Sequence, residues 1–214
     1  MMDIDFETPR WGPFLMKTQV TNDFCDEMLV RAKKCRTDWN KRLAGHLDTQ
    51  LKFDDTDKRF FFDSLYPYFN KYIEEEQNYF YVANEKFLPG TIELRPMSLW
   101  VNFMKPGDFN PPHFHDGDYS FVLYIDIPKE LEIECKNYNG RGGMPGSILF
   151  RTSGSPGLSL NNFKALTQHI YTPKKRDFFI FSAHTEHMVY PYKSDCQRVS
   201  ISGNLEIVNG VKMV

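Results

Sequence analysis

Long apolar runs are missing from this 214-residue chain: its aromatic-rich stretches are all interrupted by Asp, Glu, Lys or Asn. A membrane-crossing helix needs about 20 consecutive, mainly apolar residues, so no span is expected. Charge of one sign is also missing. With 26 Lys and Arg against 28 Asp and Glu, the formal charge is -2 and the pI about 6.3, which leaves no global basic field for nucleic acid. A nucleic-acid groove would show basic side chains interleaved with stacking aromatics, whereas Lys174-Lys175-Arg176 is a short cluster of the kind found in solvated turns. Nucleic acid is not an expected partner. Cysteine is scarce: Cys25, Cys35, Cys135 and Cys196 form no Cys-x-x-Cys pair, and the N-terminus is acidic where a secretory signal would be basic and then apolar. Reduced thiols in a cytoplasmic protein are the expectation. Repeats, low-complexity tracts and linkers are absent, and the length suits one domain, 1–214, rather than two.

Aromatic side chains are abundant, with 19 Phe and 11 Tyr, a supply that suits a β-rich core. Pro9, Trp11, Gly12 and Pro13 punctuate an N-terminal arm that leaves room for a short edge strand over 14–20. From Thr21 or Asn22 as N-cap, Phe24, Met28, Leu29 and Ala32 recur at helical spacing. A second helical pattern runs through Phe60, Phe61, Leu65, Phe69, Tyr72 and Ile73, with Pro67 expected to kink or divide it. After Pro89-Gly90 the period changes to two. Strands are expected over 92–103, 121–127, 131–135, 147–150, 169–171, 178–181 and 198–207. Helices followed by short strands predict an α+β chain: a helical buttress over 1–90 and a double-stranded β-helix, or jelly roll, over 91–208. Residues 136–168, rich in Gly, Ser, Asn and Pro, suit a functional lid.

Two histidine clusters carry the chemistry. His113 and His115 alternate, which on a strand puts both imidazoles on one face, and Asp116-Gly117 is a tight-turn dipeptide that would return Asp118 towards His115. Asp118, Ser120, Val122 and Tyr124 then share a face. Downstream, an apolar strand over 178–181 runs into His184 and His187. A metalloprotease motif would be His-Glu-x-x-His on a helix; here Glu186 directly precedes the second histidine and Pro191 follows. His184 reads as a surface or substrate-facing residue. Two imidazoles and a carboxylate with open positions beside them suit non-heme Fe(II), which activates oxygen. Iron of that kind needs an organic electron donor, and Arg198, with Ser200 on the same strand face, has the fork to clamp a carboxylate. Either of two ligand sets fits the first cluster: His113 with His115, or His115 with Asp118. Asp118 is favoured, because a three-histidine site leaves the metal's charge unbalanced.

The segments Asn102-Phe-Met-Lys-Pro-Gly107, His113-Phe-His115-Asp-Gly-Asp118, Ser120-Phe-Val-Leu-Tyr124, Phe181 to Pro191 and Arg198-Val-Ser200 together resemble the 2-oxoglutarate and Fe(II)-dependent dioxygenases. The resemblance is to their prolyl-hydroxylase-like branch, with its small phage and bacterial members, and spans roughly residues 97 to 206. It implies a jelly roll in which His187 is the distal metal ligand, Arg198 and Tyr124 anchor 2-oxoglutarate, and Ser200 and Asn102 assist. It further implies Fe(II), 2-oxoglutarate and O2 as cofactors, with ascorbate as an optional accessory, and hydroxylation of a peptide, protein or small molecule with release of succinate and CO2. The first motif departs from the family pattern, since His115 stands where an aspartate is usual. The same Gly-x5-His-x-His spacing is similar to a cupin motif, without the glutamate that would follow; a cupin-like metal protein or a non-catalytic binding module is the alternative.

Overall fold

The computed structural model describes residues 13–80, 92–151 and 168–209. Its strands are β1 (Leu15–Gln19), β2 (Thr37–Asp38), β3 (Gln50–Lys52), β4 (Glu93–Met104), β5 (Asn110–His113), β6 (Tyr119–Asp126), β7 (Ile148–Arg151), β8 (Gln168–Tyr171), β9 (Asp177–Ser182), β10 (Glu186–Val189) and β11 (Arg198–Asn209). The helices are α1 (Asn22–Ala32), α2 (Asp55–Phe80) and α3 (Lys129–Asn137). A major sheet runs β1-β9-β6-β11-β4-β3-β2 and faces a minor sheet ordered β5-β10-β7-β8. The described pairings are antiparallel. This is a jelly roll with helices on its outer face.

The two faces of the major sheet make two cores. Leu99, Val101, Phe121, Leu123, Ile180 and Ile201 point towards α1 and α2, whereas Met104, Val122, Tyr124, Phe179 and Phe181 point towards the minor sheet. Burial on both faces explains why β6 reads as a nearly continuous apolar run instead of an alternation. Helix α1 starts where Thr21 Oγ1 accepts the Phe24 N–H at 3.2 Å, and it buries Cys25, Met28 and Ala32. Arg31 ties it to α2 through Asp57.

Helix α2 is continuous through Pro67. Both Pro67 and Asp63, whose carbonyl loses its intrahelical donor, are exposed, so the lost bond falls on the solvent side of the helix. Meanwhile Phe61, Phe62, Leu65, Phe69 and Tyr72 hold the other face to the sheet, with Phe61, Phe62 and Phe69 all packed on Phe121. The stretch 131–135, expected as a strand, is α3. Only Leu131 is buried there and Ile133 is 48% exposed; Pro128 at the N-cap, acids in the first turn and Lys136 in the last favour a helix over the apparent alternation. Of the expected lid, 138–147 is a loop leading into β7, and 152–167 lies outside the described residues. The arm over 1–12 lies outside them as well.

Candidate active site

Four cross-strand neighbours form a polar row over the inner face of the major sheet. Gln50 on β3 pairs with Asn102 on β4, Asn102 with Ser200 on β11, and Ser200 with Tyr124 on β6. Directly paired residues point to one face. All four are buried, and they line one side of a cavity of about 40 Å³.

The opposite wall carries the histidines. His113 and His187 are paired residues of β5 and β10, and His115, just beyond β5, is held by its N–H to Ala183 O at 3.0 Å. The rings of His113 and His187 are 4.3 Å apart, and His115 lies 4.9 Å from each. Their ligand nitrogens all fall within 4.8 Å of one another. His113 Nδ1 lies 2.7 Å from Pro111 O and His187 Nδ1 lies 2.9 Å from Thr185 O. A carbonyl can only accept, so each Nδ1 carries the proton and each Nε2 presents a lone pair. His115 Nε2 and His187 Nε2 stand 3.1 Å apart; two nitrogens each about 2.1 Å from one ion and at right angles are about 3 Å apart, so this pair has the spacing of metal ligands. Burial pushes His115 down to about 3 and His187 well below the usual imidazole range, with the neighbouring histidines adding to the effect; burial also lowers His113. Neutral imidazoles are the state that binds metal.

Asp118 does not join them. Gly117 takes φ +88° and carries the chain from the minor to the major sheet instead of folding it back within one. Asp118 then grips the end of β11, its N–H donating to Leu205 O at 2.9 Å and its Oδ2 accepting the Ile207 N–H at 2.6 Å. Among the described residues no carboxylate lies in the histidine cluster. His184 is exposed.

Arg198 is 2% exposed and has no acidic partner among the described residues. Its Nη1 donates to Gly146 O at 2.6 Å and its Nη2 lies 2.7 Å from Met104 Sδ, while Nε has no partner. The guanidinium sits 5.2 Å from the Tyr124 ring centre, and the Tyr124 hydroxyl, also buried, has no partner either. Burial pushes that phenol up to about 12, so it keeps its proton. Tyr192 positions Arg198, its hydroxyl accepting the Arg198 N–H at 3.2 Å. A buried cation without a counter-ion, beside an unused phenol, asks for an anion. Gln50, Trp100 and Asn110, which sequence reasoning passed over, also line the cavity. Nothing local distinguishes them, because each reaches the site only through strand pairing.

Residues 98–204, half of the chain, match the model of the family described as "Putative 2OG-Fe(II) oxygenase". The chain belongs to this family. It is thus an oxidoreductase, a dioxygenase that uses Fe(II), 2-oxoglutarate and O2. The oxygenase is similar in structure to a viral collagen prolyl hydroxylase from Paramecium Bursaria Chlorella virus-1, solved as a 2OG complex, with TM-score 0.56 and 15% identity over 91% of this chain and 96% of that one. It is also similar to a Pseudomonas putida prolyl-4-hydroxylase, with TM-score 0.52 and 14% identity over 90% of this chain and 91% of that one. At such identities the likeness establishes the fold. A comparison with curated protein sequences finds no match. Among the described residues no helix is long and apolar enough to cross a membrane.

Proposed function

We propose that the oxygenase holds Fe(II) on His113, His115 and His187, holds 2-oxoglutarate against Arg198 and Tyr124, and hydroxylates a peptidyl side chain, with small-molecule substrates as the alternative. The observation that carries this reading is the buried, unpaired Arg198 across one cavity from three neutral imidazoles. Three uncharged ligands leave a divalent ion's charge unbalanced. A dianion whose one end meets the ion and whose other end meets Arg198 supplies the missing negative charge, so Asp118 is not needed as a ligand. When bound, Fe(II) with 2-oxoglutarate and O2 supplies the oxidation, and succinate and CO2 leave.

The chain's own part is positioning. Pro111 O and Thr185 O fix the tautomer and tilt of two ligands. Phe150 and Phe181 pack around His187, with ring centres 6.0 and 4.9 Å away, and keep water from that side. Arg198 offers Nε, and Tyr124 a hydroxyl proton, to a carboxylate. Ser200 and Asn102 complete the polar wall, the Asn102 Nδ2 donating to Ser202 Oγ at 3.1 Å and lying 3.5 Å from Ser200 Oγ. The jelly-roll likeness to two prolyl hydroxylases supports a peptidyl substrate. A single-domain chain in a reducing, cytoplasmic setting belongs to the same reading, supported by four cysteines that are all free thiols.

Anaerobic titration with Fe(II) and 2-oxoglutarate tests the assignment. A weak visible charge-transfer band that needs both components, and is absent in His187→Ala, is the expected result. Bound metal without the band would favour the cupin-like alternative, for which the all-histidine ligand set is the supporting observation.

A further inference from the structure

Beyond the co-substrate, the cavity contains acceptors that nothing satisfies. Trp100 Nε1 donates to Asn102 Oδ1 at 3.2 Å. An indole N–H can only donate, so the orientation of the Asn102 amide is fixed with its oxygen towards Trp100. The Gln50 amide atom 2.8 Å from the same Oδ1 must then be its nitrogen. This leaves Gln50 Oε1 as an acceptor, on a side chain 2% exposed, with no partner. A second buried acceptor without a partner, Asn110 Oδ1, lies close by. The two amides meet at Gly45: a Cβ at that position would stand 2.3 Å from Asn110 Oδ1, 2.8 Å from Leu47 Cδ1 and 3.1 Å from Gln50 Nε2, the nitrogen of the Gln50 amide. No side chain fits at that position without displacing one of these groups. Gln50, Asn110 and Gly45 line the same cavity as the three histidines.

Two orphaned acceptors, on amides that both face Gly45, call for a group with two donors. Esters and ketones bring only lone pairs, and a hydroxyl brings one proton. Guanidinium and ammonium groups bring enough protons but also a positive charge, and no acidic side chain lines this cavity, which already holds Arg198. A neutral primary amide has two N–H donors and no charge. Resting on the active-site reading above, we propose that Gln50 and Asn110 form the substrate subsite of the oxygenase and that it takes a primary carboxamide, placing a neighbouring carbon of that substrate at the histidine cluster.

The test uses the full chain loaded with Zn(II), which does not turn over, and with 2-oxoglutarate. Propionamide, methyl propionate and propylammonium are titrated by ligand-observed NMR. Propionamide should bind at least about fivefold tighter than either of the others, and Gln50→Met should weaken it about fivefold while leaving the ester unchanged, as one lost hydrogen bond implies. Asn110→Ala should do the same and serves if Gln50→Met does not fold. Equal binding of the three probes, preference for propylammonium, or binding of none overturns the subsite. Affinity for 2-oxoglutarate is read in the same samples. If it is normal while propionamide fails, the subsite alone is wrong; if it is absent, the active-site assignment falls as well.

Discussion

Replacing Arg198 with Met should make the ligand-free oxygenase more stable and the ligand-bound one less stable than wild type. The side chain is 2% exposed and carries a full charge with no acidic partner among the described residues. Burying an ion of this kind carries a penalty of several kcal/mol even after relaxation. Partial compensation comes from the Tyr124 ring at 5.2 Å, about 0.5–2 kcal/mol, and from the 2.6 Å bond to Gly146 O, about 1.5–3 kcal/mol for a charged donor. Methionine matches the aliphatic stem and removes the charge, so the balance favours the variant by about 1–2 kcal/mol, or about 2–8 °C in Tm for a chain of this size. The anion site is lost at the same time. Removing one partner of a buried charge pair typically costs about 2–5 kcal/mol of affinity, hence a 2-oxoglutarate Kd weaker by about 30-fold or more. With Zn(II) and 2-oxoglutarate at about 100 times the wild-type Kd, wild type gains about 2.7 kcal/mol and Arg198→Met gains far less. The two melting curves, recorded by calorimetry with and without ligand, should therefore exchange order. A ligand-free Arg198→Met protein that melts several degrees below wild type, or one whose 2-oxoglutarate shift is intact, would refute the reasoning.

His187→Ala should weaken Zn(II) or Fe(II) binding more than about 100-fold, whereas Asp118→Ala should leave metal affinity unchanged and lower stability by about 1 kcal/mol for its lost bond to Ile207 N; calorimetric metal titration of both separates the ligand sets, and a metal defect in Asp118→Ala counts against the three-histidine assignment. Glu76 gives a pH signature: burial raises its carboxyl above the ordinary value, outweighing hydrogen bonds from Tyr119 and Tyr72. Its folded state therefore favours the protonated form, and its contribution is fully present below the unfolded value of about 4.5 and lost as pH rises through the raised folded value. Tm measured upward from pH about 4.5 should fall more steeply in wild type than in Glu76→Gln, and parallel curves would exclude the effect. Pro67→Ala restores a donor for Asp63 O in the exposed middle of α2 and should raise stability by at least about 1 kcal/mol in urea unfolding; a loss would mean that the proline is favoured by a packing contact.

Local signals located what local chemistry controls. The N-cap at Thr21, the apolar stripe of α2 and the strand periods follow from neighbouring side chains, and so does the alternation that puts His113 and His115 together. Asp118 could not be placed that way. Its destination depends on β11 arriving beside it, where Leu205 and Ile207 take its backbone and carboxylate. Gln50 is one polar residue in a polar stretch until β3 pairs with β4 and sets it against Asn102, 52 positions away. The misread stretch at 131–135 fails for the opposite reason: its apolar residues alternate by chance, while the proline and the charges around them carry the stronger local preference.

The polar row that crosses β3, β4, β11 and β6 has a division of labour along its length. Asn102, Ser200 and Tyr124 lie inside the family-matched region and form the proposed co-substrate end, whereas β3, three residues long and second from the margin of its sheet, lies outside that region and brings Gln50. Of the two residues of the proposed subsite, Gln50 thus comes from a separate piece of chain, while Asn110 shares β5 with His113. Exchanging residues 37–52 among related oxygenases becomes a way to change the Gln50 side of that subsite while keeping His113, His115, His187 and Arg198 in place.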